Sequence, residues 1–201
     1  MTRSASTPRL RLILLWYLIV IIVVVLSERP WSRHWSGQLA AIAGLLLIAA
    51  AALGRIWCSA FIAGYKDAEL VTSGPYSLCR NPLYGFSMLA GVGVGLASAS
   101  VILLASTVTV LAVLHARAVR SEERTLLARH GAAFRSYCAR VPRFVPRHWR
   151  APSTSTTANI NVTVFWKSFL DAGSLFLLYA AIVTSAVLQR AWHWPTAFVL
   201  W

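Results

Sequence analysis

The sequence predicts an all-α fold, a polytopic membrane helix bundle of about five transmembrane helices with a cytoplasmic helical cap segment. Of the 201 residues, 58% are hydrophobic and 12% are charged, and soluble domains carry about twice that charged share. Nine of the nineteen Lys and Arg residues lie between positions 117 and 150, and most of the others flank apolar runs. This placement is typical of cytoplasmic anchors in membrane proteins.

The placement of the basic residues indicates which partner the protein has. A formal net charge of +13 is compatible with nucleic-acid binding, but the basic residues sit beside apolar runs, so we expect a membrane partner and no nucleic acid.

Cys58, Cys79 and Cys138 are odd in number and form no Cys-x-x-Cys pair, which favours neither a disulfide framework nor a zinc site. The histidines show no ligand spacing, so we expect no metal.

Two apolar runs precede residue 60. The first, residues 12–26, follows three arginines and predicts a transmembrane helix. Its start resembles a signal peptide, but no small-residue cleavage site follows, so we expect the helix to be retained. The second run, residues 37–56, predicts a second span.

Residues 83–114 contain no charged side chain. The stretch is too long for one span, so it predicts two helices joined by a turn near residues 97–100. The sequence AGVGVG at positions 90–95 lies inside the first of them. It lacks the strand–turn–helix context of a dinucleotide-binding loop, and we interpret it as a helix-packing surface.

An Arg-rich segment follows, in which Leu126, Leu127, His130 and Phe134 have helical spacing. Pro142 ends any helix there. Further on we expect a Ser/Thr-rich linker, a last apolar helix and an aromatic tail. One membrane domain results, with four regions: residues 1–69, an N-terminal two-helix region; 70–148, the core that carries the site; 149–163, the linker; and 164–201, the C-terminal helix and tail.

Loop charges orient the bundle. Five spans with a cytoplasmic N-terminus place the strongly basic loops inside and the nearly neutral ones outside. The stretch around residues 73–86 and the Arg-rich segment then share the cytoplasmic face. Arg far outnumbers Lys and Ala is abundant, which hints at a bacterial source and therefore at the inner membrane.

The stretch SGPYSLCRNPLYGF, residues 73–86, has a composition that predicts a functional site. Pro75 and Pro82 interrupt helices at the mouth of an apolar run, beside the permanently charged Arg80. Glu122 and Glu123 are the only acidic residues between positions 71 and 170.

Two interpretations of these carboxylates stay open. They form either an exposed helix face with weak ion pairs or, together with arginines, a site for the two ends of a zwitterion. His115 lies two helical turns before Glu122 and shares its face, as a packing residue or as part of the site. No nucleophile turn, Walker loop or HExxH motif is present, which favours a site that works through a bound cosubstrate and positioning.

The order of LVTSGPYSLCRNPLY, an apolar hairpin and RSEERTLLARHGAAFRSYCARVPRFVP resembles the isoprenylcysteine carboxyl methyltransferase and phospholipid methyltransferase superfamily. The likeness covers residues 70–146. It implies an integral membrane methyltransferase that uses S-adenosylmethionine as its cofactor and a lipid or small lipophilic acceptor as its substrate.

The resemblance also implies residue roles. By position, the family's cofactor pocket corresponds to Gly74, Tyr76, Arg80, Asn81, Pro82, Tyr84, Glu122 and Glu123. Arg120 is implied as a carboxylate contact, and with Glu123 and His115 it completes the expected catalytic set. Tyr137 and Arg143 match the family's tail, where a cap or substrate role is implied.

Three positions depart from the family pattern. Asn81 replaces a frequent His and cannot carry a proton, Phe86 stands where the family usually has Gly, and Ala68 replaces a His of the prenylcysteine enzymes. A prenylcysteine substrate is therefore less favoured than a phospholipid, quinol-like, fatty or thiol acceptor. Two alternatives stay open, an NADPH-dependent sterol-type reductase and a non-catalytic membrane scaffold.

Overall fold

The computed structural model describes residues 6–62, 69–146, 162–192 and 196–200, and these are almost wholly helical. In chain order the six α-helices are α1 Ser6–Leu26, α2 Trp35–Ile62, α3 Pro75–Leu78, α4 Pro82–Ala97, α5 Val101–Arg140 and α6 Val162–Trp192. A 3-10 turn, Pro30–Arg33, precedes α2. Strands β1, Ser27–Glu28, and β2, Phe198–Val199, form a short parallel pair that the sequence did not predict.

Five of these helices are apolar. In α2, α5 and α6 the apolar stretch is long enough to cross a membrane, and Leu10–Leu26 and Pro82–Ala97 are shorter apolar helices. They follow the order of the predicted runs, and the predicted all-α membrane helix bundle is confirmed. The turn expected near residues 97–100 is also present between α4 and α5, with Ala99 at a φ of 48°.

Helix α5 differs from the expected arrangement because it carries both the fourth apolar run and most of the Arg-rich segment in 40 residues. The physical reason is the lack of a helix breaker, since no Gly or Pro occurs from residue 101 to residue 130. The first Gly, Gly131, adopts a non-helical φ of 47° and ψ of −112°. The predicted cap segment is thus a continuation of a spanning helix, broken at one residue.

The chain forms two compact units. Unit 1 comprises Met1–Ala49, Met88–Leu114 and Ser174–Trp201, and unit 2 comprises Ala50–Ser87 and His115–Gly173. The division into four sequence regions stays a prediction. Of the predicted linker, residues 149–161 lie outside the described residues and the last two begin α6. Residues 193–195 and 201 of the predicted aromatic tail are likewise outside them.

Unit 1 has an apolar core to which all five long helices contribute. Its buried members are Val20, Val24, Ile48, Val94, Ala97, Leu103, Leu178 and Ile182.

Within unit 1, α2 and α4 approach each other closely through glycines. A Cβ atom built on Gly44 would lie 2.5 Å from the carbonyl oxygen of Gly93, and one built on Gly93 would lie 2.7 Å from the carbonyl oxygen of Gly44. Backbone oxygens cannot move aside as flexible side chains do. The AGVGVG segment therefore serves helix packing, as the sequence suggested.

We expect Gly44→Ala to lower the free energy of unfolding by about 1–3 kcal/mol, because overpacking forces α2 and α4 apart. The matched control is Gly173→Ala in α6, where an added Cβ meets no atom within 4 Å. That change should be neutral or stabilising by about 0.5–1 kcal/mol. Unfolding in detergent, followed by circular dichroism, measures both. Equal stability of the two variants would contradict the close approach.

Candidate functional site

Unit 2 brings polar side chains from three parts of the chain into two hydrogen-bonded groups, one on Glu122 and one on the adjacent Glu123, which together form the cluster. The parts are the segment from Gly74 to the first turn of α4, the middle of α5, and the residues that follow α5.

Gly74 determines the direction of the backbone in the segment that leads to α4. Its φ of +56° is a left-handed conformation that favours glycine, and a Cβ there would lie 2.4 Å from the Phe61 ring. Pro75 then occupies the first turn of α3, where its missing N–H costs nothing. Pro82 begins α4 in the same way. The two prolines thus start helices, which explains why the chain is polar and irregular just before the apolar helix α4. We call residues 74–82 the entrance segment.

The segment after α5 runs alongside this entrance. The backbone N–H of Arg80 donates to the carbonyl of Pro142 at 2.8 Å, and that of Asn81 donates to the carbonyl of Arg143 at 3.2 Å. The side-chain amide of Asn81 donates to the same Arg143 carbonyl at 3.3 Å. These bonds satisfy backbone groups that would be costly to bury without a partner.

Glu123 is the centre of the cluster. Its carboxylate accepts two hydrogen bonds from the Arg143 guanidinium, at 2.6 and 3.2 Å, and one from the Asn81 amide at 3.1 Å. The Arg80 guanidinium lies 3.5 Å away as a second cation, and only 17% of the Glu123 side chain is exposed. Bidentate, charge-assisted bonds of this kind fix both partners in orientation.

The neighbouring carboxylate, Glu122, has a different partner. It accepts a hydrogen bond of 2.6 Å from the hydroxyl of Tyr84. The Tyr84 ring also meets the ring of His115 edge-on, with centroids 5.2 Å apart. Tyr84 and His115 are both buried, so Glu122 is tied to the interior of unit 2 through an aromatic pair.

The end of α5 is anchored to the entrance segment. The hydroxyl of Tyr137 donates to the carbonyl of Tyr76 at 2.6 Å, with both residues buried. Burial raises the pKa of the Tyr76 hydroxyl and of the Cys79 thiol above their ordinary values. These two groups therefore stay neutral at physiological pH.

Most of the predicted site residues lie in or against the cluster. Hydrogen bonds or ion pairs join Glu123 to Arg80, Asn81 and Arg143, and a separate hydrogen bond joins Tyr84 to Glu122. Gly74, Tyr76, Pro82 and Tyr137 shape the backbone around it, and His115 packs on Tyr84. Arg120 is exposed and makes no side-chain hydrogen bond or ion pair with a described residue. The roles of all these residues stay predictions.

Sequence reasoning missed two contacts. It assigned Arg143 a cap or substrate role without foreseeing its pairing with Glu123. It gave Cys138 no role, although Arg80 donates to its sulfur at 2.7 Å. The spacing of Glu123, Leu126, His130, Phe134 and Tyr137 along the less exposed side of α5 is the signal that could have aligned these groups. Leu127, which was expected on that face, is 42% exposed.

This chain is similar to one family model and to two metal-resistance proteins. The family model described as phospholipid methyltransferase matches residues 33–133. The nickel-cobalt-cadmium resistance protein NccN of Alcaligenes xylosoxydans xylosoxydans is 36% identical over 183 residues, which cover 90% of this chain and 84% of that protein.

The cobalt-zinc-cadmium resistance protein CzcN of Cupriavidus metallidurans is 33% identical over 176 residues, which cover 85% of this chain and 79% of that protein. No solved structure matches. Half of the chain fits the family model, and the two relatives align along most of their length. The chain therefore belongs to the phospholipid methyltransferase family, within the isoprenylcysteine and phospholipid methyltransferase superfamily.

Proposed function

We propose that this protein transfers a methyl group from S-adenosylmethionine to a lipid or small lipophilic acceptor that offers a carboxylate, amine or thiol. One observation carries the proposal. Two motifs about 40 residues apart meet where Asn81 bonds to Glu123 and Tyr84 bonds to Glu122, in a chain of a methyltransferase family. The surrounding apolar helices suit an acceptor that arrives from the bilayer.

The residues of the cluster fit this cofactor, which carries a carboxylate, an ammonium and a sulfonium. Two carboxylates and two guanidiniums meet there, so both signs of charge have a partner. The Nε atom of Arg80 is buried and has no hydrogen-bond partner among the described residues. A buried donor without a partner costs free energy, and a ligand carboxylate would satisfy it.

We assign the holding of the cofactor to Arg80, Asn81, Pro82, Tyr84 and Glu122, with Gly74 and Tyr76 shaping the entrance. When bound, the cofactor supplies a methyl group already activated by a positively charged sulfur. The protein's task is then mainly to align the acceptor with that methyl group and to exclude water.

Glu123 is better suited to positioning than to direct contact. Its oxygens already accept bonds from Arg143 and Asn81 and face Arg80. It therefore holds Arg80 and Asn81 in place from two sides, and Arg143 closes the cluster as a cap. The exposed Arg120 retains its proposed role as a contact for a carboxylate.

The nature of the acceptor decides whether a base is needed. A carboxylate or thiolate is already nucleophilic, whereas an ammonium must lose a proton first. Glu122 and His115 are the groups available for that step, because the oxygens of Glu123 are already bonded to Arg143 and Asn81. His115 is buried against Tyr84, the residue that also binds Glu122, so proton transfer and cofactor holding would share one side of the cluster.

The names of the two relatives concern resistance to nickel, cobalt, zinc and cadmium. We extend the proposal to a role in a metal-resistance system, exerted through methylation of a lipophilic molecule. The supporting observation is the identity of more than 30% along most of both chains.

We expect the detergent-purified protein to bind S-adenosylmethionine and its demethylated product with micromolar Kd and not to bind NADPH. Glu123→Gln should weaken both affinities at least tenfold, because Arg80 and Arg143 lose their shared carboxylate. Glu28→Gln is the matched control, since it removes another arginine-paired carboxylate, in unit 1. Titration calorimetry measures all three proteins. Binding of NADPH alone would support a reductase. If the folded protein bound none of these ligands, the result would support a non-catalytic scaffold.

Tyr84→Phe removes the hydroxyl bonded to Glu122 and keeps the ring against His115. We expect labelled-methyl transfer to a lipid extract to fall about 2- to 12-fold, as the loss of one hydrogen bond worth about 0.5–1.5 kcal/mol predicts. In the control Tyr179→Phe, the lost hydroxyl donates to the Ala41 carbonyl in unit 1, and transfer should be unchanged. Equal rates for Tyr84→Phe and wild type would remove Tyr84 from the site.

For the metal-resistance role, cells that depend on this protein should tolerate less nickel, cobalt or cadmium when it carries Glu123→Gln. The variant must reach the same level in the membrane as wild type, checked by immunoblot. Growth inhibition curves measure the effect. Full resistance with a variant that no longer binds S-adenosylmethionine would separate resistance from methylation.

A further inference from the structure

Unit 1 contains a cavity of about 200 Å³, beside the turn between α1 and α2. It is far from the cluster in sequence and shares no residue with it. The cavity is lined by Glu28, Arg29, Ser32, Arg33, Ala186, Gln189, Arg190 and Thr196. Three arginines and one glutamate make this lining strongly cationic.

Arg29 is the buried member of this lining, with 2% of its surface exposed. Its guanidinium donates to the Ser98 carbonyl at 3.3 Å and to the Ser185 hydroxyl at 2.9 Å, and it lies 3.5 Å from the Gln189 side-chain oxygen. All of these acceptors are uncharged. The Nε atom of Arg29 is buried and has no hydrogen-bond partner in the described part of the chain.

The other charges around the cavity leave this guanidinium uncompensated. Glu28 is paired with Arg33 at 2.8 Å, and Arg190 donates to the carbonyl of Ser32. Among the described residues, neither Arg29 nor Arg190 has a carboxylate partner. Burial and the nearby Arg190 lower the pKa of Arg29 to about 10. A buried cation without a counter-ion is costly, and an anion in the cavity would remove that cost.

We propose that this cavity binds a phosphate group. Arg29 supplies an unused buried donor, and Arg33 and Arg190 supply further donors and charge at the same cavity. Several guanidinium donors converging from different residues match the oxygens of a phosphate. A volume of about 200 Å³ holds a phosphate or a lipid headgroup but not acyl chains. The source is therefore a lipid phosphodiester or inorganic phosphate, and the site is independent of methyl transfer.

The test uses the full chain in an uncharged detergent, with three probes: inorganic phosphate, phosphatidylglycerol, and diacylglycerol as the phosphate-free lipid. Native mass spectrometry counts bound lipid, and calorimetry measures inorganic phosphate. The variants are Arg29→Gln and the exposed Arg190→Gln. The control is Arg11→Gln, which removes an exposed arginine near the other end of α1. Helix content by circular dichroism confirms folding of each variant.

We expect binding of at least one phosphate-bearing probe, weakened at least tenfold in Arg190→Gln and unchanged in Arg11→Gln. Binding of phosphatidylglycerol alone identifies a lipid as the source, and binding of inorganic phosphate alone identifies a free anion. If Arg29→Gln does not fold, Arg190→Gln decides. Diacylglycerol binding equal to that of phosphatidylglycerol, no binding of either phosphate probe, or binding insensitive to Arg190→Gln would overturn the proposal.

Discussion

The carboxylate of Glu123 is the interaction on which the site of unit 2 depends. It bonds to Arg143 and Asn81 and faces Arg80, and so joins three segments that are far apart in sequence. Two of these partners make a further side-chain bond, Arg80 to the Cys138 sulfur and Asn81 to the Arg143 carbonyl. An unpaired charge in a largely apolar chain is costly, and here one acidic residue serves two cations.

The rest of unit 2 supports that carboxylate through backbone geometry. A glycine with positive φ and two helix-starting prolines give the entrance segment its course, and its N–H groups bond to the segment after α5. The Tyr137 hydroxyl completes the frame on the Tyr76 carbonyl. Protein groups thus bond the backbone N–H groups of Arg80 and Asn81, while the buried Arg80 Nε has no partner among the described residues.

The helices and many of the residues in the cluster could be predicted from the sequence, because each leaves a pattern in a short stretch of the chain. Long apolar runs predict helices, the small residues between Ala97 and Val101 predict a turn, and the two motifs predict which polar residues come together. The pairing of Arg143 with Glu123 was not predictable, because it depends on how the chain folds back after Pro142. The β1–β2 pair was missed for a similar reason, since two-residue strands leave no periodic signal.

The break in α5 at Gly131 has a genetic consequence. Gly131 has a φ of 47°, and a Cβ there would meet no atom within 4 Å, so its identity is set by backbone conformation alone. A side chain at this position would favour a straight helix and redirect residues 132–140, which carry the Tyr137 anchor. Loss-of-function alleles are therefore expected at a glycine that has no side chain to contribute to the cluster. In a genetic screen such an allele would map outside the cluster and would act by changing the direction of the chain after residue 131.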